Sequence, residues 1–297
     1  MSTPRITVLM TSHNRRVKTL AALASLRQQR GLSDGTSLSV HLVDAGSSDG
    51  TAEAVAENFP EVEVTVVGTD VFWGEGMRLA SHHSREAAGS AWDYQLWLND
   101  DVELDDDALS QLLATEEQVG GEAIVVGAVR SRDGARTTYS GRRRTLPRWH
   151  PRWHHFSLVD PTGKPALCDT CNGNVLLVPR TVRGRLGDID ARFKHSMGDF
   201  DYGLRARRVG IPVYVAPRHV GACDNNPPGV GAMEPGIGAR EALRRLVSQR
   251  ELPPRQWWAY CGRHLWPWAP LLMIAPYVNT ALRAAVLARR RRSAGDS

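Results

Sequence analysis

Short apolar runs alternate with helical periods over the first 130 residues, and that rhythm leaves few folds open to the chain. "RITVLMTS" (5–12) reads as a buried strand, and "VKTLAALASLRQQ" (17–29) carries apolar residues at helical spacing and stops at Gly31. "SLSVHLVDAG" (37–46) is a second strand, and "SSDGTAEAVAENF" (47–59) gives turn residues followed by a helix. "VEVTVVG" (62–68), "YQLWLND" (94–100) and "AIVVGAVR" (123–130) are further strands, with helices expected over 74–89 and 105–120. Alternation of this kind predicts a mostly parallel sheet with helices on both faces. In such sheets ligands bind beyond the carboxyl ends of the strands. "TSHNR", "DAGSSDG" and "NDDVELDDD" are thereby expected on one rim.

The last of these is unusual. A buried-looking Leu96-Trp97-Leu98 runs directly into six carboxylates between Asp100 and Asp107. Hard cations such as Mg²⁺ and Mn²⁺ take oxygen ligands, and they often bind through one or two carboxylates plus substrate phosphates. Asn99, Asp100 and Asp101 close a strand and can supply such a site. Asp105, Asp106 and Asp107 precede an apolar-periodic helix, where negative charge favours the N-terminal dipole. The run is therefore read as two halves, a site over 99–101 and a helix cap over 105–107.

At 297 residues, 42% hydrophobic and 23% charged, the chain has room for one large α/β domain or two small ones. A formal net charge of +5 suits an anionic partner such as a sugar nucleotide or a lipid surface. The Arg/His/Trp stretch 142–156 is basic too, but no RNA-binding motif surrounds it, so nucleic acid is not expected. It is read as a loop near an acceptor. No secretory signal is visible in "MSTPRITVLMTSHNRR", which points to the cytoplasm and to reduced thiols at Cys168, Cys171, Cys223 and Cys261.

The tail changes character. Residues 255–292 hold four tryptophans and end in four arginines, and Pro267, Pro270 and Pro276 interrupt the apolar part. A spanning helix needs roughly 20 apolar residues in a row. The segment reads instead as interfacial, with Trp at headgroup level and Arg on anionic lipid. Packing on the domain or on a second copy, as a homodimer, is the alternative.

Six segments in order resemble the family 2 glycosyltransferases of GT-A fold: "ITVLMTSHNR", "VDAGSSDGT", "WLNDDV", "NGNVLLVPR", "GDFDYGLRARRVG" and "VAPRHVG". The resemblance covers roughly 5–225, and its Asn-first metal motif is similar to that of rhamnosyltransferase-like members. It implies a Rossmann-like domain over 1–228, with a nucleotide-sugar half to about 130 and an acceptor half from 131, followed by a helical Trp/Arg-rich extension over 229–297. By the same resemblance Thr11, Ser12 and Asp44 line the nucleotide pocket. Asn99 and Asp101 take the two D-x-D positions. Asp101 and His219 reach a divalent cation, Mg²⁺ or Mn²⁺. Asp199 is the catalytic base, with Asp201 in reserve, and Gly198 stands where the family usually has Glu.

The resemblance implies inverting transfer from a nucleotide-diphosphate sugar to a hydroxyl of a glycan or lipid-linked acceptor in cell-surface polysaccharide synthesis, and the residue types suit that chemistry. A cation stabilises the departing diphosphate, and one carboxylate on the opposite face takes the acceptor's proton. Gly74 and Gly76 permit close backbone approach before a helix N-terminus, which suits a phosphate or sugar; a turn beside a core tryptophan is the other reading. Two rival functions stand beside the transferase. A sugar-1-phosphate nucleotidyltransferase would open with a glycine-rich loop, and "TSHNRRVKTL" has no glycine. A non-catalytic nucleotide-sugar-binding module on the membrane would account for Asn99 and Gly198 as losses.

Overall fold

The computed structural model describes residues 3–88, 92–147, 149, 150, 152, 154–224, 231, 232, 234 and 237–295; side chains 87, 88 and 284–295 lie outside that description. Two compact units emerge, residues 1–191 with 198–225 and residues 192–197 with 226–297.

The first unit opens in strict alternation: β1 (Arg5–Ser12), α1 (Arg16–Arg27), β2 (Ser37–Asp44), α2 (Thr51–Asn58), β3 (Val62–Val66), α3 (Trp73–Ala88) and β4 (Tyr94–Leu98). Then come β5 (Glu103–Leu104), α4 (Ala108–Gln118), β6 (Ile124–Arg130), β7 (Thr137–Tyr139), β8 (Gly141–Arg144) and β9 (Phe156–Leu158). β10 (Ala166–Cys168), β11 (Thr170–Cys171), β12 (Val175–Pro179), α5 (Arg180–Leu186), α6 (Gly198–Arg208) and β13 (Val213–Ala222) complete it.

The main sheet runs β10-β13-β6-β12-β4-β1-β2-β3, with β5 and β7 as side branches on β13 and β6. β1 pairs in parallel with β2 and β4, β2 with β3, and β6 with β13. The expected α/β, mostly parallel architecture is present. One placement differs from the rhythm of the sequence. The strand at 124–130 does not adjoin β4, because β12 inserts between them and pairs antiparallel with both. All five residues of β12 are buried. A strand apolar on both faces gains most from a central position, whatever its place in the chain.

Side-chain alternation divides the core into two layers. Ile6, Val8, Met10, Leu96, Leu98, Val175 and Leu177 face one way, against Leu23 and Leu26 of α1 and Leu109 and Leu112 of α4. Leu9, Trp97, Leu176 and Val178 face the other, against Met77 and Ala80 of α3 and Tyr202 and Ala206 of α6. β1, β4 and β12 are thus buried on both sides, which fixes their register against any one-residue slip.

Two local expectations need correction. The stretch 142–156 is not simply a loop: Arg142–Arg144 form β8, paired antiparallel with β11 and β9 in a separate three-stranded sheet. Consecutive arginines hid the two-residue period, yet Arg142 is half-buried while Arg143 is exposed. Nor do the aspartates at 105–107 cap α4 through their side chains, for Asp107 at the N-cap position makes no capping bond. Arginines from other elements claim them instead: Arg130 holds Asp105 through two bonds of 2.7 and 2.8 Å, and Arg218 holds Asp107 at 2.7 Å.

The second unit contains α7 (Ala239–Leu246), α8 (Pro254–His264) and α9 (Ala269–Gly295). Trp257 and Trp258 of α8 donate their indole N–H groups to the carbonyls of Leu272 and Met273 at 2.7 and 3.0 Å, which ties α8 to α9. Pro270 falls in the first turn of α9, where a proline is tolerated, and Pro276 lies inside a helix that continues past it. Among the described residues no helix is long and apolar enough to cross a membrane. The arginine run at 289–292 belongs to α9, but its side chains lie outside the described residues.

Candidate active site

Strand order reverses at β1, since β2 lies on one side of it and β4 on the other. The loops that follow β1 and β4 therefore leave the sheet together, at the kind of crevice where open α/β sheets bind ligands. Here Arg15, one residue before α1, meets the end of β4. Its Nη1 donates to Asp100 Oδ1 at 3.0 Å and to Asp101 Oδ2 at 2.9 Å. Both aspartates are buried, 5% and 9% exposed. Burial pushes the Asp100 carboxyl up to about 6, even though the Arg15 charge opposes the shift. Among the described residues the buried Asp101 Oδ1 has no hydrogen-bond partner by geometry. The Cys223 thiol lies near the Asp101 carboxylate, and burial and then the Asp101 charge raise it to about 12.

Asp44 ends β2 beside Ser12 in register. Its Oδ1 accepts from Ser47 N at 2.7 Å, and its buried Oδ2 has no hydrogen-bond partner among the described residues. A fully buried carboxylate oxygen left unpaired is costly, so Asp44 Oδ2 is suited to a ligand donor such as a base N–H or a ribose hydroxyl. Ser12 Oγ lies 2.8 Å from Thr19 Oγ1. Thr11 and Gly76 are in contact: a Cβ at Gly76 would stand 2.5 Å from Thr11 Oγ1. The close approach that Gly76 allows is thus between α3 and the end of β1. Gly74 is buried in the same first turn.

A second set of contacts connects this rim to α6. Trp73, the first residue of α3, donates its indole N–H to Asn99 Oδ1 at 2.8 Å. The far edge of the same ring packs against Gly173, where a Cβ would fall 2.7 Å from Trp73 Cη2 and 3.2 Å from Asp199 Cβ. Gly173 N donates to Asp199 Oδ2 at 2.9 Å, and Phe200 N donates to Asp199 Oδ1 at 2.8 Å. The backbone of Asn99 also bonds Asn174 O at 2.9 Å. The structure therefore brings Asn99 and Asp199, a hundred residues apart, to opposite sides of one tryptophan. Burial raises the Asp199 pKa above the usual carboxylate range, while the two N–H donors and the Arg142 charge oppose the rise. Arg142 donates to Asn172 Oδ1 at 3.0 Å, next to Gly173.

Asp201 occupies different surroundings. It is fully buried, and Arg205 Nε donates to its Oδ2 at 2.8 Å, while the same guanidinium bonds the carbonyls of Leu186 and Asp188. This carboxylate fastens α6 to the end of α5 and is not free to take a substrate proton. His219 has a partner of its own. Its Nε2 lies 2.9 Å from Thr137 Oγ1. Burial and the Arg130 charge hold its pKa down.

Among the described residues no group of three His, Cys, Asp or Glu side chains is arranged to hold a metal. The free buried oxygen of Asp101 does fit a cation that takes its remaining ligands from a diphosphate, as Mg²⁺ and Mn²⁺ often do. Sequence reading missed Arg15, Trp73, Gly173 and Arg142. Each had left only a trace: Arg15 closes "TSHNR", Arg142 opens the basic stretch 142–156, Gly173 lies in "NGNVLLVPR", and Trp73 is the tryptophan beside Gly74.

With this geometry in view, comparison with known proteins is consistent. The model of the family "Glycosyl transferase family 2" matches residues 7–176. The N-acetylglucosaminyl-diphospho-decaprenol L-rhamnosyltransferase of Mycobacterium tuberculosis is 28% identical over 198 residues, which cover 60% of this chain and 64% of that protein. The chain thus spans less than two thirds of that curated relative. Among solved structures, the mannosyltransferase PcManGT from Pyrobaculum calidifontis, in complex with GDP-Man and Mn²⁺, superposes with a TM-score of 0.54 at 19% identity, covering 100% of this chain and 82% of that one. S. aureus TarS gives 0.55 at 11% identity, over 87% of this chain and 42% of its own. At these identities the structural likeness is one of fold.

Proposed function

The chain belongs to glycosyl transferase family 2, and from that premise we propose that it moves a sugar, with inversion, from a nucleotide diphosphate to a hydroxyl of a lipid-linked glycan acceptor. The observation that carries this reading is the held carboxylate of Asp199. Two backbone N–H groups fix both of its oxygens, and Trp73 sets it across from the strand end that carries Asn99 and Asp101.

In the proposed reaction the Asp44 oxygen without a partner receives the nucleoside. Asp101 Oδ1 would hold a divalent cation, which when bound would supply charge stabilisation for the departing diphosphate. Asp199 accepts the proton of the acceptor hydroxyl as its oxygen bonds to the anomeric carbon. The carbon–oxygen bond to the diphosphate breaks on the opposite face, giving an inverted glycoside and the nucleoside diphosphate. A deoxyhexose such as rhamnose and a diphosphate-linked acceptor are the substrates of the mycobacterial relative, and we carry that class over here.

Titration calorimetry with UDP, dTDP and GDP, with and without Mn²⁺, tests the site. One nucleotide should bind, tighter with Mn²⁺, and Asp101→Ala should abolish the metal's contribution. If none of the three binds under either condition, the assignment is wrong.

The tail supports peripheral docking on the cytoplasmic face of a membrane. Leu271, Ile274, Val278 and Leu282 of α9 are 47–60% exposed. At 100° per residue they share an arc of roughly 80°. Trp266 and Trp258 are exposed as well, at 62% and 48%. Continuous aliphatic exposure of this kind marks an interaction surface, and the sequence places Arg289–Arg292 on the same helix. Vesicles containing phosphatidylglycerol should sediment the protein, and Ile274→Asn with Val278→Asn should release most of it. Unchanged partitioning of that double variant would rule the stripe out.

A further inference from the structure

We propose that Arg15 is a resident counter-cation for Asp100 and Asp101, and that a divalent ion arriving at Asp101 competes with its guanidinium, so that Arg15 sets how tightly the chain holds metal. The proposal rests on the reading of Asp101 as the donor-side carboxylate. One nitrogen, Nη1, serves both carboxylates, at 3.0 and 2.9 Å. Their side chains are only 7% and 10% exposed, so little water is left to compensate their charge if the guanidinium departs.

Arg15 itself is built to leave. Its backbone is fixed, for its carbonyl accepts from both the N–H and the hydroxyl of Thr19 at 2.9 and 3.0 Å. Its side chain is 37% exposed and has solvent into which to swing. Asp101 Oδ2 is occupied by the guanidinium, and Oδ1 is not. A cation on Oδ1 would face a like charge across one carboxylate, and a bidentate cation would have to displace it outright. Either way, metal is bound against Arg15. Without that charge, two adjoining buried carboxylates have no counter-ion, and their demand for a cation rises.

The test is Mn²⁺ affinity of the nucleotide-free protein, read from the electron paramagnetic resonance signal of the free ion. Arg15→Gln should bind Mn²⁺ at least tenfold more tightly than wild type, and Arg15→Lys, which keeps the charge, should stay within threefold of it. Equal, weaker or undetectable binding in Arg15→Gln overturns the proposal. Should that variant not fold, the wild type decides. Phenylglyoxal labelling of Arg15, read by peptide mass spectrometry, should rise at least threefold on adding Mn²⁺, and unchanged or reduced labelling overturns the proposal equally. The transferase reading fails on different data, the absence of nucleotide-diphosphate binding, which leaves the Mn²⁺ comparison standing.

Discussion

Asp199→Asn is expected to lower kcat by about 10²–10⁴-fold, the usual contribution of a positioned general base, while leaving nucleoside diphosphate affinity within about twofold. The amide is nearly isosteric and can still accept from Gly173 N or Phe200 N, so the loop and α6 keep their places. What it cannot do is take a proton. The pH profile supplies a second test. The Asp199 carboxyl titrates above the ordinary carboxylate range because burial disfavours its charge. The base is therefore protonated as pH falls through that raised value, and kcat/KM should drop on an acid limb above the one expected of a solvent-exposed aspartate. The stability sign is opposite. A carboxyl that binds protons more readily when folded makes the folded state lose stability as pH rises through its raised pKa. Asp199→Asn should hence melt no lower than wild type at neutral pH. A variant that lost both activity and melting temperature would mark Asp199 as structural.

Asp201 shows why residue type alone could not make this distinction. Both aspartates lie in the first turn of α6, two residues apart. The sequence says only that each is an acid near a helix start. Their roles separate through partners from elsewhere: the loop before β12 reaches Asp199, whereas Arg205 takes Asp201. The same holds for the acidic run behind β4. Its division after Asp101 was legible, because a strand end and a helical period meet there. The charges that neutralise each half were not, since Arg15, Arg130 and Arg218 reach them from a loop and two other strands, 25 to 111 residues away. Local periodicity revealed β1 to β4, β6 and α1 to α4, because it depends on neighbours in the chain. The central place of β12, the strand at Gly141–Arg144 and the contact of His219 with Thr137 depend on pairing between distant segments, which no local pattern encodes.

Gly173→Ala should then be a damaging single-methyl change at the site. No unusual backbone angle demands glycine there, so the cost is steric. The new Cβ would lie 2.7 and 2.8 Å from Trp73 Cη2 and Cζ2 and 3.2 Å from Asp199 Cβ. Trp73 has little freedom to yield. Its N–H is bound to Asn99, and its ring meets Trp97 edge-on at 6.1 Å. Overpacking of this kind costs about 1–3 kcal/mol. A base displaced by a fraction of an ångström loses alignment as well, so kcat should fall roughly 10- to 100-fold. Trp73→Phe offers a decisive control. Phenylalanine lacks the outer ring atoms that collide with the methyl, but it also gives up the bond to Asn99. Each single variant should be impaired, and the double variant should be better than their sum by about 1 kcal/mol or more, the coupling expected of residues in contact. If the two effects simply add, the tryptophan does not transmit the position of Gly173 to the rim, and Asp199 is held by its backbone donors alone.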